Sequence, residues 1–430
     1  MNRIILIICL GVIYASNPLM AQVKVNTELK DFINQSFTYF PKVKEVENTV
    51  KTAEEKLTLT ELNGKPNIDF DANYAYVKPK IEIPLGGQEF QFAPVHNLET
   101  SVTGSYALYD FGRIKANVVK AKNDIQLAKH STEFVKAQLA NQVSVIYYNI
   151  VYLQKAISIQ DSVIRFYEEN KQLTENKLKN GDALKIDVMN LQTNIDAEEN
   201  RKVDLINSLD KQFNLLEYTT GLKKANAYTF DFDVNFLNAD EGTSLAQKSN
   251  PEFMLAEDKI KQAKQEVEIA KLSDKPRVDV HAATGFKNGY FPNVNEITFN
   301  YNAGLSFTMP LYNFGRTKQQ VKLQQSMVKQ NELSQITLIS NYRKDIEQAL
   351  TDIKTNIERI RNTKSQLEAA KTAQQITASR YKNGVATNLD VTAAATNVQK
   401  AALTQLQYDY QLCLAKVELA KLLGYEYWKK

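Results

Sequence analysis

The chain has 430 residues, too many for one ordinary domain, and a formal charge of +4 that points to no bulk nucleic-acid partner. Two cysteines exclude a disulfide-built scaffold. The only histidines, His96, His130 and His281, lie far apart in sequence, which leaves little for a His-rich metal site or a His-based triad and argues against most enzymes.

Fifteen glycines and ten prolines are few for this length, so long unbroken elements are expected. Residues 1–21 read as a secretory signal. Arg3 supplies the positive end, Ile4 to Tyr14 the apolar core, and Leu19-Met20-Ala21 a cleavage site before Gln22. The alternative, an N-terminal anchor helix, is disfavoured because that core is too short to span a bilayer. Cys9 would leave with the signal. Cys413, among Leu412, Leu414 and Ala415 on a helix, is then the one thiol and reads as a small buried hydrophobe.

The first repeat is placed at 22–220: a helix, strands at about 66–78 and 97–110, a long helix over 113–180, and a helix over 182–220. A linker follows at 221–249. The second repeat, 250–423, has the same layout, with strands at about 277–287 and 296–310, a long helix over 316–383 and a helix over 385–423. Residues 424–430 form a tail.

Repetition is the strongest feature. Leu108-Tyr109-Asp110-Phe111-Gly112-Arg113 recurs as Leu311-Tyr312-Asn313-Phe314-Gly315-Arg316, an offset of 203. Lys179-Asn180-Gly181 recurs as Lys382-Asn383-Gly384, Asp187-Val188 as Asp390-Val391, and Gly221 as Gly424, all at 203. Upstream, Lys65-Pro66-Asn67-Ile68-Asp69 recurs as Lys275-Pro276-Arg277-Val278-Asp279, at an offset of 210. The change of seven falls in the loop around Lys78–Pro94 of the first copy. In each copy 68 residues without Gly or Pro follow the Phe-Gly junction, long enough for a helix of roughly 100 Å at 1.5 Å per residue. The following arm carries an apolar seam, Leu184, Val188, Leu191 and Ile195, then Val203, Ile206, Leu209, Phe213 and Leu216, stepped mainly by three and four as in a coiled coil.

The strands alternate with period two. Ile68, Phe70, Ala72, Tyr74 and Tyr76 interleave with Asp69, Asp71 and Asn73. In the fourth strand Ile297, Phe299, Tyr301, Ala303, Leu305, Phe307 and Met309 alternate with Thr298, Asn300, Asn302, Gly304, Ser306 and Thr308. Such alternation with aromatic residues on the apolar face is the pattern of a transmembrane barrel, although a soluble sheet packed on a core also alternates. Four strands cannot close a barrel, and open edges in lipid cost several kcal/mol per unpaired group, so the strands must be pooled between subunits.

This layout, with Leu311-Tyr312-Asn313-Phe314-Gly315-Arg316 after Pro310 and Arg380-Tyr381-Lys382-Asn383-Gly384 before Leu389-Asp390-Val391, resembles the outer-membrane efflux proteins, the TolC-like family. The resemblance covers essentially all of residues 25–430. It implies a mostly helical fold with a small β part, in which a homotrimer shares a twelve-stranded barrel in outer-membrane lipid above a helical periplasmic tunnel. It further implies a passive exit duct of a Gram-negative bacterium, working with a periplasmic adaptor and an inner-membrane pump. Residues 221–249 and the tail match the equatorial region at the tunnel's waist.

Two kinds of site follow from the resemblance. The turns Asn180-Gly181-Asp182-Ala183 and Asn383-Gly384-Val385-Ala386 match the periplasmic tips that dock the adaptor; by their residues alone they are helix-hairpin turns. Asp187 and Asp390 match aspartates near the closed periplasmic aperture; by their residues alone they are solvated or helix-terminal charges. Some members carry an arginine where this chain has Ala386, and Lys185 is the nearest basic candidate.

No catalytic, cofactor or metal residues are expected. Asp110-Phe111-Gly112 matches a kinase triplet only superficially, since no catalytic-loop motif or Gly-rich loop accompanies it. The acidic residues Asp231, Asp233, Asp240 and Glu241 have no calcium-loop spacing. A secreted trimeric coiled coil with a structural or adhesive role is the rival to a duct; it needs neither aromatic-rimmed strands nor two equal hairpins between helices.

Overall fold

The computed structural model describes residues 23–85, 88–225, 229–235 and 238–429. The secretory signal expected at 1–21 lies outside them. In chain order the elements are α1 (Thr27–Tyr39), α2 (Pro41–Leu62), β1 (Asn67–Tyr76), β2 (Glu82–Leu85), β3 (Gln88–Gln91), β4 (His96–Tyr109), α3 (Arg113–Lys179) and α4 (Lys185–Thr220). The second half adds α5 (Ala239–Ser249), α6 (Pro251–Leu272), β5 (Arg277–Lys287), β6 (Thr298–Thr308), α7 (Arg316–Lys382) and α8 (Asn388–Leu422).

Local chemistry sets the boundaries. α2 and α6 both start on a proline at the first helical position, where a missing N–H costs nothing and the fixed φ suits the helix. At α6 the Asn250 carboxamide oxygen also accepts from Glu252 N at 2.9 Å. α3 and α7, 67 residues each, are unbroken because nothing in them interrupts the backbone ladder. Both begin after the same tight turn, in which Phe111 and Phe314 adopt φ of 55° and 54°. That region is unusual for a bulky residue. Asp110 holds the first copy of the turn, its carboxylate accepting from Gly112 N at 2.9 Å and Ile114 N at 2.6 Å.

Several elements differ from the sequence expectation. The region before the first strand, read as one helix, is two, because Pro41 starts a new one after Phe40. The loop around Lys78–Pro94 contains the short antiparallel hairpin β2–β3. The linker contains α5, and the arms begin at Lys185 and Asn388, three residues later than expected, after extended cap residues Leu184 and Thr387.

The repeats are not the packing units. One compact unit gathers the described residues of 23–39, 138–245 and 343–429; the other gathers those of 40–137 and 246–342. Matching parts of the two repeats pack with each other, and α3 and α7 each contribute to both units.

The first unit is helical. Tyr147 and Tyr148 of α3 are fully buried there, their hydroxyls donating to Glu28 and Asp231, each at 3.1 Å. Burial pushes both phenols well above the ordinary tyrosine range. Lys24 forms an antiparallel bridge with Asp233, whose carboxylate accepts from Lys416 at 2.8 Å. The tail folds back as well: Tyr427 and Trp428 are buried, and the Tyr427 hydroxyl meets Ser144 Oγ at 3.1 Å. Cys413 is buried in this core, and burial raises its thiol out of the reactive range. Farther along, α3, α4 and α8 share a buried polar knot. The Glu198 carboxylate accepts from Gln160 at 2.5 Å and Gln399 at 2.7 Å, and also pairs with Arg201. A buried carboxylate is tolerated only when satisfied in this way, so the knot sets the register of the three helices.

The second unit holds the sheet. Its four main strands are antiparallel in the order β1-β4-β5-β6, leaving β1 and β6 as open edges. Register places apolar residues opposite one another, as in Phe70↔Val102, Tyr74↔Leu98, Phe286↔Phe299 and Val280↔Leu305. Polar residues share the other face, where Lys287 pairs with Glu99 and Arg277 with Asp279. Gly285 is required at its position, since a Cβ there would come within 1.9 Å of the Thr100 carbonyl oxygen. Among the described residues nothing covers the apolar face: Phe70 is 72% exposed, Tyr301 80% and Leu305 69%. Asn300, Gly304 and Ser306, which alternate with them, are only partly exposed. Among the described residues no helix is long and apolar enough to cross a membrane.

This inside–outside assignment has a direct test. Phe299→Lys or Leu305→Lys is expected to cost about 2–4 kcal/mol of insertion free energy near mid-bilayer, whereas Asn300→Lys, on the polar face, is mild. Reversible folding into lipid vesicles measures the difference, and equal losses would show the faces to be misassigned.

Candidate functional site

The two helix-hairpin turns are built alike. At the first, Asp182 N donates to Lys177 O at 2.8 Å and Gly181 N to Leu178 O at 3.1 Å. At the second, Val385 N donates to Arg380 O at 2.8 Å and Gly384 N to Tyr381 O at 3.1 Å. This paired pattern closes the last carbonyls of α3 and α7 and needs a left-handed residue, which Gly181 and Gly384 supply with φ of 84° and 74°. A Cβ at either glycine would meet nothing within 4 Å, so the requirement is conformational rather than steric. Asn180, Asp182, Asn383 and Val385 are exposed; Ala183 and Ala386 are half-buried.

Asp187 and Asp390 each stand at the third position of the helix that follows. The Asp390 carboxylate accepts from Thr387 N and Thr387 Oγ1, both at 2.8 Å, and Thr387 Oγ1 accepts from Asp390 N at 3.2 Å. That is a complete capping box. Asp187 has only the reciprocal half, accepting from Leu184 N at 3.0 Å, because leucine has no acceptor to return. The hydrogen bond from the Thr387 backbone, then that from its hydroxyl, holds the Asp390 carboxyl below the ordinary aspartate range. Its stabilising effect on the tip is therefore complete above that range and is lost as the pH falls through the lowered value. Asp390 is exposed and Asp187 half-buried.

The structure joins the two tips through residues that sequence reasoning did not single out. Buried Tyr381 meets Thr174 Oγ1 through its hydroxyl at 2.7 Å. Lys177 Nζ donates to Tyr381 O at 2.5 Å and lies 4.7 Å from the centre of its ring. Asn388, also buried, donates from Nδ2 to Asp187 O at 3.0 Å. One signal was available: Tyr381 stands where the first repeat has Leu178, so the copies differ where one reaches across to the other. Lys185, the basic candidate in the first tip, is exposed. Among the described residues no group of three His, Cys, Asp or Glu side chains is arranged to hold a metal ion.

The exposed apolar sheet face leads at both hairpins into helices of 67 residues, and each of these ends in a turn of matching conformation. The model of the outer membrane efflux protein family matches residues 40–222 and again 243–425, and the chain belongs to that family. The double match is the internal repeat seen independently. Its place is the outer membrane of Gram-negative bacteria, with a helical tunnel in the periplasm; the family is one of channel proteins, not enzymes. Nodulation protein T of Rhizobium leguminosarum bv. trifolii is 19% identical over 422 residues, covering 92% of this chain and 86% of that protein. Alkaline protease secretion protein AprF of Pseudomonas aeruginosa is 22% identical over 318 residues, 71% of this chain and 65% of that one. The outer membrane protein VceC of Vibrio cholerae superposes with a TM-score of 0.76 at 16% identity, covering 93% of this chain and 97% of VceC.

Removing the Tyr381 hydroxyl tests the tip contact. Tyr381→Phe is expected to destabilise the joined tips by about 1 kcal/mol, the net value of one hydrogen bond. Amide exchange should speed up in residues 174–190 and 380–392 but not around Tyr147.

Proposed function

We propose that this protein is the outer-membrane exit duct of a tripartite efflux or type I secretion assembly, a homotrimer that is a passive conduit from periplasm to exterior. One observation carries the proposal: a four-stranded sheet with an apolar outer face and two open edges, attached to two 67-residue helices. In hydrocarbon every backbone group on an edge strand must find a partner. With strand directions alternating across β1-β4-β5-β6, the edges β6 and β1 run antiparallel, so further copies can join edge to edge without a parallel pair. Three copies supply twelve strands, and an even count closes this alternating arrangement. The rival coiled-coil adhesin leaves the exposed apolar strand face unexplained.

A conduit does no chemistry, so the driving energy comes from an inner-membrane pump coupled through a periplasmic adaptor. The tips Asn180-Gly181-Asp182-Ala183 and Asn383-Gly384-Val385-Ala386 are the proposed adaptor docking points, supported by their exposure and their matching conformations. Asp187 and Asp390 are proposed to ring the periplasmic aperture, with six carboxylates in the trimer. In this reading Tyr381, Thr174 and Lys177 hold the two hairpins of one chain together.

Two measurements test the proposal. Native mass in detergent is expected at a multiple of three subunits; a stable monomer in the membrane would overturn it. In planar bilayers the wild-type channel should favour cations and be blocked by polyvalent cations, because carboxylates crowded in a narrow opening are poorly screened. Asp390→Ala should weaken both effects, Asp187→Ala less so, and the double variant most. Unchanged selectivity and block in the double variant would place these aspartates away from the aperture.

A further inference from the structure

We infer that the contact joining the two repeats within one chain recurs between chains, so that Arg316 of one copy caps the C-terminal end of helix α2 in the next. The inference rests on the homotrimeric reading above and adds to it a specific interface.

The contact is visible once inside the chain. Where β4 passes into α3, the half-buried Arg113 guanidinium donates from Nε to Leu272 O at 3.0 Å. Its Nη2 donates to Ser273 O at 3.0 Å and to Lys275 O at 2.6 Å. These oxygens close the C-terminal end of α6, where carbonyls lack helical partners and carry the negative end of the helix dipole. An arginine suits that position because its planar fork serves several carbonyls at once. The contact exists because β4 and β5 are neighbours in the sheet, which places the start of α3 beside the end of α6.

Each part of this contact has a copy. Arg316 stands 203 residues after Arg113, and Leu62, Asn63 and Lys65 stand 210 residues before Leu272, Ser273 and Lys275. The local backbone is copied too: Lys65 N donates to Leu62 O at 2.8 Å, as Lys275 N does to Leu272 O at 3.1 Å. Yet Arg316 is exposed in the single chain. The reason is topological. β6 precedes Arg316 and β1 follows α2, and these are the two edges of the sheet, three strand spacings apart, or about 14 Å. Only another copy can bring an α2 end to Arg316.

Two further observations agree. Carrying the β4–β5 register over by the same offsets turns Thr103↔Ala283 into Ser306↔Asn73, Val102↔Thr284 into Leu305↔Tyr74, and Tyr106↔Val280 into Met309↔Phe70. Polar residues then meet polar and apolar meet apolar, which a slip of one residue would undo. The corresponding helix positions of α7 are unpartnered among the described residues, though their chemistry differs between the copies. Lys120, Asp124 and His130 of α3 bind Glu266, Gln262 and Asp258 of α6. The positions 203 residues later on α7 are Leu323, Met327 and Leu333, all large, apolar and exposed in the single chain. A neighbouring α2 in the place of α6 would cover them.

Cysteine pairs in the full-length protein, oxidised in detergent and run on a denaturing gel, provide the test. Thr103→Cys with Ala283→Cys should close within one chain and migrate as a monomer. Ser306→Cys with Asn73→Cys should give covalent dimers and trimers. Arg316→Ala should speed dissociation of the oligomer in SDS by about tenfold or more, the effect of losing one charge-assisted hydrogen bond. Lys318→Ala, on the same helical turn, should leave it unchanged. If native mass shows a trimer and the first pair closes while the second stays monomeric, or if Arg316→Ala dissociates like Lys318→Ala, this interface is overturned and the duct reading stands. If no trimer forms, the duct reading itself fails.

Discussion

Unpaired backbone at the edges of a membrane sheet is the constraint on which the rest of this structure depends. In the proposed barrel the apolar face of the four strands meets lipid, and lipid offers nothing to the hydrogen-bonding groups of β1 and β6. In the proposed duct the chain is therefore incomplete by itself in the outer membrane to which its family belongs. Duplication answers part of this need. One hairpin presents two open edges; joining two copies of the unit through β4 and β5 pairs half of those edges inside one polypeptide. The remaining pair is left for association.

The same duplication organises the helices. Because each hairpin leads into a helix of 67 residues, neighbouring strands impose neighbouring helices. Matching parts of the repeats therefore pack together, and each compact unit draws on both. Polar groups then hold the alignment where an apolar seam alone would allow sliding. Glu198 with Gln160 and Gln399 does so in the first unit. Arg113 does so at the end of α6 in the second.

At the tips, the proposed function is laid over structural necessity. Asp390 completes a capping box and Gly384 closes α7, so each has a local reason to be present before any role in gating or docking. An aspartate whose position is fixed by its own helix start is also a charge fixed in space. That is what a selective opening requires, and it is why the proposed aperture residues coincide with capping residues.

How much could be read from the chain alone follows from the range of the interactions involved. Breaker-free runs, the offsets of 203 and 210 and the period-two strands are local or repetitive signals, and they suffice for long helices, four strands and a duplicated fold. The tip turns were legible for the same reason, since Asn-Gly closes a helix by backbone geometry within a few residues. Contacts between distant segments were not legible. Tyr381 meets Thr174, Asn388 meets Asp187, and Tyr427 meets Ser144, each across more than 190 residues, and the one trace in the sequence is the departure of Tyr381 from Leu178 of the first repeat. The break at Pro41, the hairpin β2–β3 and the late starts of α4 and α8 depended on cap and turn geometry that composition underdetermines. The sequence by itself determined the elements and their repetition, because backbone propensity and periodicity act over short spans. Tertiary structure alone decided which copies of those elements touch, because that choice is made by strand neighbours and by buried polar groups finding partners.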